Sequence, residues 1–471
     1  MLKRLLAASA ALAFASTTAL AEERRLTADE ERALDIFKTI IAMRTAEGQG
    51  KVPAMAAYLA GELRKAGFPK KDVEIRKSGE TAALVVRYRG ASSAKKPILF
   101  LAHMDVVDAR PEDWELDPFT LTEKDGFFVG RGTTDNKYGV MNLTQTFIRL
   151  KKEGFVPDRD LIIAFSGDEE CCMLTTRALA ADPELAGAEF ALNADAGGGA
   201  MGEDGEPVVY VVQAAEKTYA SFDITATNQG GHSSRPRDDN AIYDLAAALE
   251  KIRALRFPVM SNEITRPFFA ATGTGLGGKL GASMIAFAKN PKDRKAGEAI
   301  SADPAYVGMV RTTCVATMLK AGHAENALPQ SATATVNCRI FPGMTVEDVK
   351  ASLIAAAGNP ALEFKVLDAP TVSPISVPRA DVMAAIGKAV HARYPQTPLI
   401  PYMESGATDG MHFRIAGVPT YAASAIFMRE ADIFAHGLNE RIPVDAFFGG
   451  LDHWSIIIKE LAGPAGATSA P

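Results

Sequence analysis

Cysteine is scarce, at four in 471 residues, so disulfides alone cannot hold a chain of this length together. A packed apolar core must do so. A basic excess is also missing: 51 Lys+Arg stand against 57 Asp+Glu, for a formal charge of −6. That excludes the electrostatic footprint of a sequence-independent nucleic-acid binder, and no nucleic-acid partner is expected. Past residue 21 no uncharged apolar run reaches the length of a membrane span. The composition itself, 47% hydrophobic and 23% charged, is that of a globular protein and excludes a disordered chain, a collagen or a coiled-coil rod. At ~150 residues per domain the length suggests about three units or two large ones.

The long apolar run that does occur lies at the N-terminus. Lys3 and Arg4 precede Leu5–Leu20, and the run closes on Ala19-Leu20-Ala21, the small-x-small pattern of a signal-peptidase site. Its 16 residues are short for a span of ~20. We expect residues 1–21 to be a cleaved signal peptide, with Glu22 as the new terminus and a mature charge of −8. No cysteine sits at the cut, so a lipid anchor is not expected. The mature protein is then periplasmic or secreted, with no membrane attachment.

Alternation of strands and helices argues for an α/β fold. Residues 27–45 and 52–68 read as helices, and PILFLAHMDVV is a continuous apolar run suited to a parallel strand buried on both faces. Tyr138 to Lys151 reads as a helix, LIIAFSGDEE as a second buried strand and AEFALNADAGGG as a third. The pattern changes at Lys217. An alternating strand and a helix follow, then a Gly- and Phe-rich stretch, 257–310, expected to be irregular. Two Thr/Val-rich strands carry Cys314 and Cys338 and would place them opposite each other if paired across Asn326. A helix capped by Thr345 and a short strand close this unit. The expectation is an α/β catalytic domain (22–216 and 369–471) interrupted by an inserted α+β lid and dimerisation domain (217–368).

The chemistry gathers at strand ends. His103 and Asp105 end the first buried strand, and Asp168, Glu169 and Glu170 end the second. Asp195 ends the third, and Asp135 sits in the turn GRGTTDNK. Ligands of open α/β sheets bind beyond the carboxyl ends of the strands. Acids converging there without a cation would be strongly unfavourable. Histidine with several carboxylates suits Zn²⁺ or another first-row dication, and more than three carboxylates suggests two ions sharing one. Asp105, two residues after His103, is the natural partner to fix the imidazole tautomer. HxD, DxK and DEE are each weak alone; their order after buried strands is the signal.

At these residues the sequence resembles the di-zinc metallopeptidases that include acetylornithine deacetylase, succinyl-diaminopimelate desuccinylase, glutamate carboxypeptidase and carboxypeptidase S. The resemblance runs from about residue 30 to 460, and Trp114…Asp117-Pro118-Phe119 leans towards the carboxypeptidase S-like branch. It implies two Zn²⁺ ions, with Co²⁺ or Mn²⁺ as alternatives. His103 and Asp195 would hold one ion, Glu170 and His436 the other, and Asp135 would bridge them. Glu169 would be the general base acting on the metal-activated water. His232 would reach a neighbouring subunit's active site to stabilise an oxyanion, which implies a homodimer. Asn326, Arg339 and Gly406 would contact substrate, Arg339 through a terminal carboxylate. The implied activity is hydrolysis of an amide in small peptides or N-acyl amino acids. The competing readings are an inactive metal-bound binding protein and an aminopeptidase of the related di-zinc clan. Three features depart from the pattern: Tyr138 stands between Lys137 and Gly139, Cys171-Cys172 follow the acidic pair, and NADAGG is an uncommon form around Asp195. The adjacent cysteines could be core thiols, a vicinal disulfide or adventitious zinc ligands; we read them as core thiols. His323, His391, His412 and His453 have no matching role and read as surface or structural.

Overall fold

The structure, a computed structural model, describes residues 25–463 except 93 and 368. The signal-peptide expectation therefore lies outside the described residues. Among the described residues no helix is long and apolar enough to cross a membrane.

A mixed sheet of ten strands forms the larger unit. Its centre is parallel: Ile98–His103 pairs with Leu161–Ser166 on one side and Phe190–Asn193 on the other. All of Ile98–His103 is buried, as the uninterrupted apolar run predicts. Its residues alternate between two cores. Ile98, Phe100 and Ala102 face a large cluster with Phe147 and Trp454, whereas Leu99 and Leu101 face a smaller one with Leu179 and Phe413. The helices Ala28–Ile41, Lys137–Lys152 and His453–Ala462 cover the first face, and Leu174–Ala180 and Gly410–Ile415 the second. The first of these helices opens on a capping box, Thr27 with Glu30.

The second unit is a four-stranded antiparallel sheet in the order Thr313–Ala321, Ser331–Ile340, Thr218–Thr227, Glu363–Leu367. Helices Ala241–Ala254 and Val346–Ala357 share its separate core, built on Phe222, Ile224, Leu245, Val336 and Leu353. Thr345 caps the second helix, with Asp348 closing the box. The fold is thus an α/β catalytic unit with an inserted α+β unit.

The stretch expected to be irregular is helical: Thr265–Leu276, Gly278–Lys289 and Arg294–Ser301. Its glycines misled because they serve packing. A Cβ on Gly273 would lie 2.7 Å from the Gly281 carbonyl oxygen, so the two helices cross where neither has a side chain. Phe269, Met284 and Phe287 join the larger unit's core rather than that of the antiparallel sheet.

Cys314 and Cys338 are opposed in register and form a disulfide across 24 residues. Loop-closure entropy for a loop of that size amounts to about 3 kcal/mol. The double variant Cys314→Ser/Cys338→Ser should lose about 2–4 kcal/mol of unfolding free energy in denaturant titration. A midpoint equal to the parent's would contradict a stabilising bond.

Candidate metal centre

Parallel strands in register bring their carboxyl ends to one edge of the sheet. His103 is the last residue of its strand and pairs with Ser166, the last of its neighbour. Asp168, Glu169 and Glu170 follow Ser166 after one residue, Gly167, and Asp195 lies two residues past Phe190–Asn193. Asp135 enters from the turn before Lys137–Lys152. His436 comes from the loop between Phe427–Arg429 and Arg441–Pro443 and is in the left-handed region at φ 63°.

These side chains meet. His103 Nε2 lies 2.9 Å from Asp135 Oδ1 and 3.2 Å from Asp195 Oδ1. His436 Nε2 lies 3.0 Å from Asp135 Oδ2 and 3.0 Å from Glu170 Oε2. One Asp135 carboxylate therefore joins two imidazoles, one through each oxygen. His103 with Asp195 stands on one side, and His436 with Glu170 on the other.

The charges are mutually dependent. Burial alone would push His103 down, but Asp195 and the hydrogen bonds to Asp105 and Asp135 hold it well above its usual pKa. Hydrogen bonds donated to Asp135 and Glu170 raise His436 to about 10. Burial pushes Asp195 up to about 7 against the pull of His103. For Asp135 the two imidazoles overcome burial and hold the acid below its normal range. Burial also drives Glu169 well above the usual carboxylate value, and the charges of Asp195, Asp409 and Glu170 add to it. A protonatable carboxyl beside a cluster of anions is suited to general-base and general-acid work.

Asp105 reaches the imidazole and the turn beyond it. His103 Nδ1 lies 3.1 Å from the Asp105 backbone carbonyl and 3.5 Å from its carboxylate oxygen Oδ1. The same carboxylate also accepts the backbone N–H groups of Glu169 and Glu170 at 3.1 and 3.0 Å. It fixes the turn that carries both glutamates.

A second layer was not read from the sequence. Glu440 is fully buried and accepts from Arg131 Nη1, from the N–H groups of Gly132, Thr134 and Asp135, and from the Thr134 hydroxyl. Arg131 also donates to the carbonyls of His436 and Gly437. The pair thereby ties the Asp135 turn to the His436 loop. Trp114 lies against the Arg131 guanidinium at 5.2 Å, and the Pro118 carbonyl accepts the Arg131 backbone N–H. The Trp…Asp-Pro-Phe element thus braces the clamp. Asp409, buried against Ser166 and Thr176, was missed as well. So was the cis peptide between Asp135 and Asn136, for which no local signal exists.

The remaining predicted residues lie elsewhere. His232 and Asn326, both exposed, sit together at the two-stranded antiparallel ladder Gly231–His232/Ala327–Leu328, where Ser233 N–H donates to the Asn326 carbonyl. Among the described residues neither bonds to the His103–His436 cluster. Arg339 and Gly406 are brought close by Ser405: Arg339 Nη1 donates to its carbonyl at 2.8 Å, and Gly406 N–H donates to Glu404. The Arg339 guanidinium stacks on Tyr219 at 4.7 Å. Cys171 and Cys172 are not core thiols: the first is exposed and the second half-buried. They follow a turn closed by Asp168, which points them outward. His412 and His453 are buried, and burial lowers His453 to about 4.

Three carboxylates and two imidazole nitrogens converge, and among the described residues no Lys or Arg side chain pairs with Asp135, Glu170 or Asp195. Ligand atoms of His103, Asp135 and Glu170 lie within 4.8 Å of one another. Oxygen and imidazole donors around a shared carboxylate fit a divalent first-row metal. The fold and this donor set define a metal-dependent hydrolase. The comparisons give it a family. The pattern of "Peptidase family M20/M25/M40" matches residues 99–460, and the chain belongs to that family of metallopeptidases and amidohydrolases. It is 30% identical over 371 residues to the N-fatty-acyl-amino acid synthase/hydrolase PM20D1 of Xenopus tropicalis, covering 76% of this chain and 71% of that one. It is 24% identical to the probable carboxypeptidase S-like 2 of Dictyostelium discoideum, covering 80% and 74%. Its fold matches an M20 metallo-carboxypeptidase of Sulfolobus solfataricus with a TM-score of 0.67 at 18% identity, covering 91% and 98% of the two chains.

The clamp can be tested. Removing one partner of a buried ion pair strands the other, at about 3–5 kcal/mol. Glu440→Ala should lose stability on that scale and purify with less bound metal. Parental metal content and an unshifted unfolding midpoint would contradict a clamping role.

Proposed function

We propose that this protein hydrolyses an amide bond in a small peptide or N-acyl amino acid, using two divalent ions, zinc first among them, held on either side of Asp135. The observation that carries the reading is the single Asp135 carboxylate spanning His103 and His436, with Glu169 near enough to feel the charges of His103 and Asp195. His103 and Asp195 would hold one ion, and Glu170 and His436 the other. Such ions, when bound, polarise a carbonyl and lower the pKa of water. Glu169 takes the proton of the attacking water and passes it to the departing amine. Its raised affinity for a proton suits both halves of that task. Asp105 keeps Glu169 and Glu170 pointing to their separate duties by holding both N–H groups.

The substrate side is read from the surroundings. A cavity of about 360 Å³ opens beside Asp135 and Asp195 and is walled by Tyr402, Ile426, Met428 and Ile433. It suits an apolar acyl group or side chain, in keeping with the acyl-amino-acid chemistry in the name of the Xenopus relative. Arg339 would hold the free carboxylate by a two-pronged hydrogen bond, flanked by Gly406. His232 and Asn326, exposed and with no bond to this chain's own centre among the described residues, would serve a neighbour's across a homodimer. The edge strand Thr313–Ala321, which exposes Val315, Met318 and Leu319, supports such pairing. Export to the periplasm or medium is supported by the Cys314–Cys338 disulfide and the N-terminal apolar run.

A hydrolysis screen of dipeptides and N-acyl amino acids with zinc-loaded protein tests the activity. Glu169→Gln should lower kcat by about 10²–10⁴ with metal content unchanged. Undiminished turnover would remove Glu169 as base, and an inert parent across the screen would favour a binding protein. His436→Ala should purify with less zinc; a full complement would remove it as a ligand.

A further inference from the structure

Outside the Asp135 centre a second donor cluster stands on the surface. Sulfur atoms of Cys171 and Cys172 and a carboxylate oxygen of Glu47 all lie within 4.8 Å of one another. Cys172 Sγ sits 3.7 Å from Glu47 Oε1. With Cys314 and Cys338 joined, these are the free cysteines of the chain. We propose that Cys171, Cys172 and Glu47 form a separate binding site for a thiophilic metal cation.

Both walls are fixed in advance. On the cysteine side the Asp168 carbonyl accepts the N–H groups of Cys172 and Met173 at 3.1 and 2.7 Å. The Asp168 carboxylate accepts those of Leu174 and Thr175 at 2.7 and 2.9 Å. On the other side Lys137 Nζ donates to the Met43 carbonyl at 2.6 Å, anchoring the segment that leads to Glu47. Donors from two braced segments already stand within 4.8 Å of one another, which reduces the entropy lost on binding. They line a cavity of about 260 Å³ with Gly48, Ser78 and Thr81, leaving room for water in the remaining coordination positions.

The donor chemistry selects the ion. Two sulfurs and one carboxylate favour soft or borderline cations such as Cd²⁺ or Zn²⁺ over Mg²⁺ or Ca²⁺. The Asp135 centre has no sulfur, so the two sites differ in kind. On binding, two S–H bonds break, two sulfur–metal bonds form and two protons pass to solvent. The bound cation would link Glu47 to the turn carrying Glu169 and Glu170, one residue from Glu170.

The test uses the full chain, zinc-loaded and freed of excess metal after mild reduction, and titrates it with Cd²⁺. The readout is the ultraviolet sulfur-to-cadmium charge-transfer band. Exchange at the Asp135 centre cannot produce that band, because its donors are nitrogen and oxygen. The band should saturate at one equivalent. It should vanish in Cys171→Ser/Cys172→Ser and persist in Cys314→Ser/Cys338→Ser. Glu47→Gln, which leaves both thiols in place on an exposed loop, should weaken the affinity about tenfold. No band in the parent, or a band retained in Cys171→Ser/Cys172→Ser, would overturn the site. An undiminished affinity in Glu47→Gln would remove the carboxylate and with it the three-donor assignment.

Discussion

The structure turns on one carboxylate shared by two imidazoles. Asp135 touches His103 through one oxygen and His436 through the other, although the three residues come from a turn, a strand end and a distant loop. Asp195 and Glu170 complete the two sides and would repel Asp135 and each other without positive charge between them. Everything near the cluster serves to hold it open and aligned. Parallel strands deliver His103, Glu170 and Asp195 to one sheet edge. Asp105 holds the backbone of Glu169 and Glu170. Glu440 and Arg131 hold the Asp135 turn against the His436 loop.

That second layer decides how well a metal can be gripped. Ligands on separate loops drift unless their backbones are tied, and here the ties are buried and charged. Arg131 and Glu440 are almost wholly removed from water, so each would be strongly unfavourable without the other. Trp114 shields the guanidinium from one side. The inserted antiparallel unit has its own core and carries Arg339, which reaches back to Ser405 at the edge of the α/β unit. The substrate's carboxylate end and its scissile bond would thus be read by different parts of the chain.

Much of this was legible in the sequence, for physical reasons. Short uninterrupted apolar runs alternating with helical segments fit parallel strands buried on both faces, which brings the acids just past them to one sheet edge. The opposition of Cys314 and Cys338 followed from two alternating strands, whereas whether they bond was left open. What was hidden depends on contacts far apart in the chain. Glu440 looks like any loop acid, because its five donors come from residues more than 300 positions earlier. The contact of Asp105 with the imidazole two positions away was visible, whereas its hold on the Glu169 and Glu170 amides, more than 60 positions on, was not. The helices of 265–301 were obscured because glycine at a helix crossing looks the same in sequence as glycine in a loop. The cysteines after Glu170 were read as buried because isolated thiols usually are; the Asp168 turn points them out instead.

The account stands or falls on where metal binds relative to Asp135. Anomalous diffraction at the zinc edge from crystals of zinc-loaded protein answers this directly. The account predicts two strong peaks flanking the Asp135 carboxylate, one beside His103 and Asp195 and the other beside His436 and Glu170. A single peak away from Asp135, or two peaks that leave His103 and His436 uncoordinated, would contradict it.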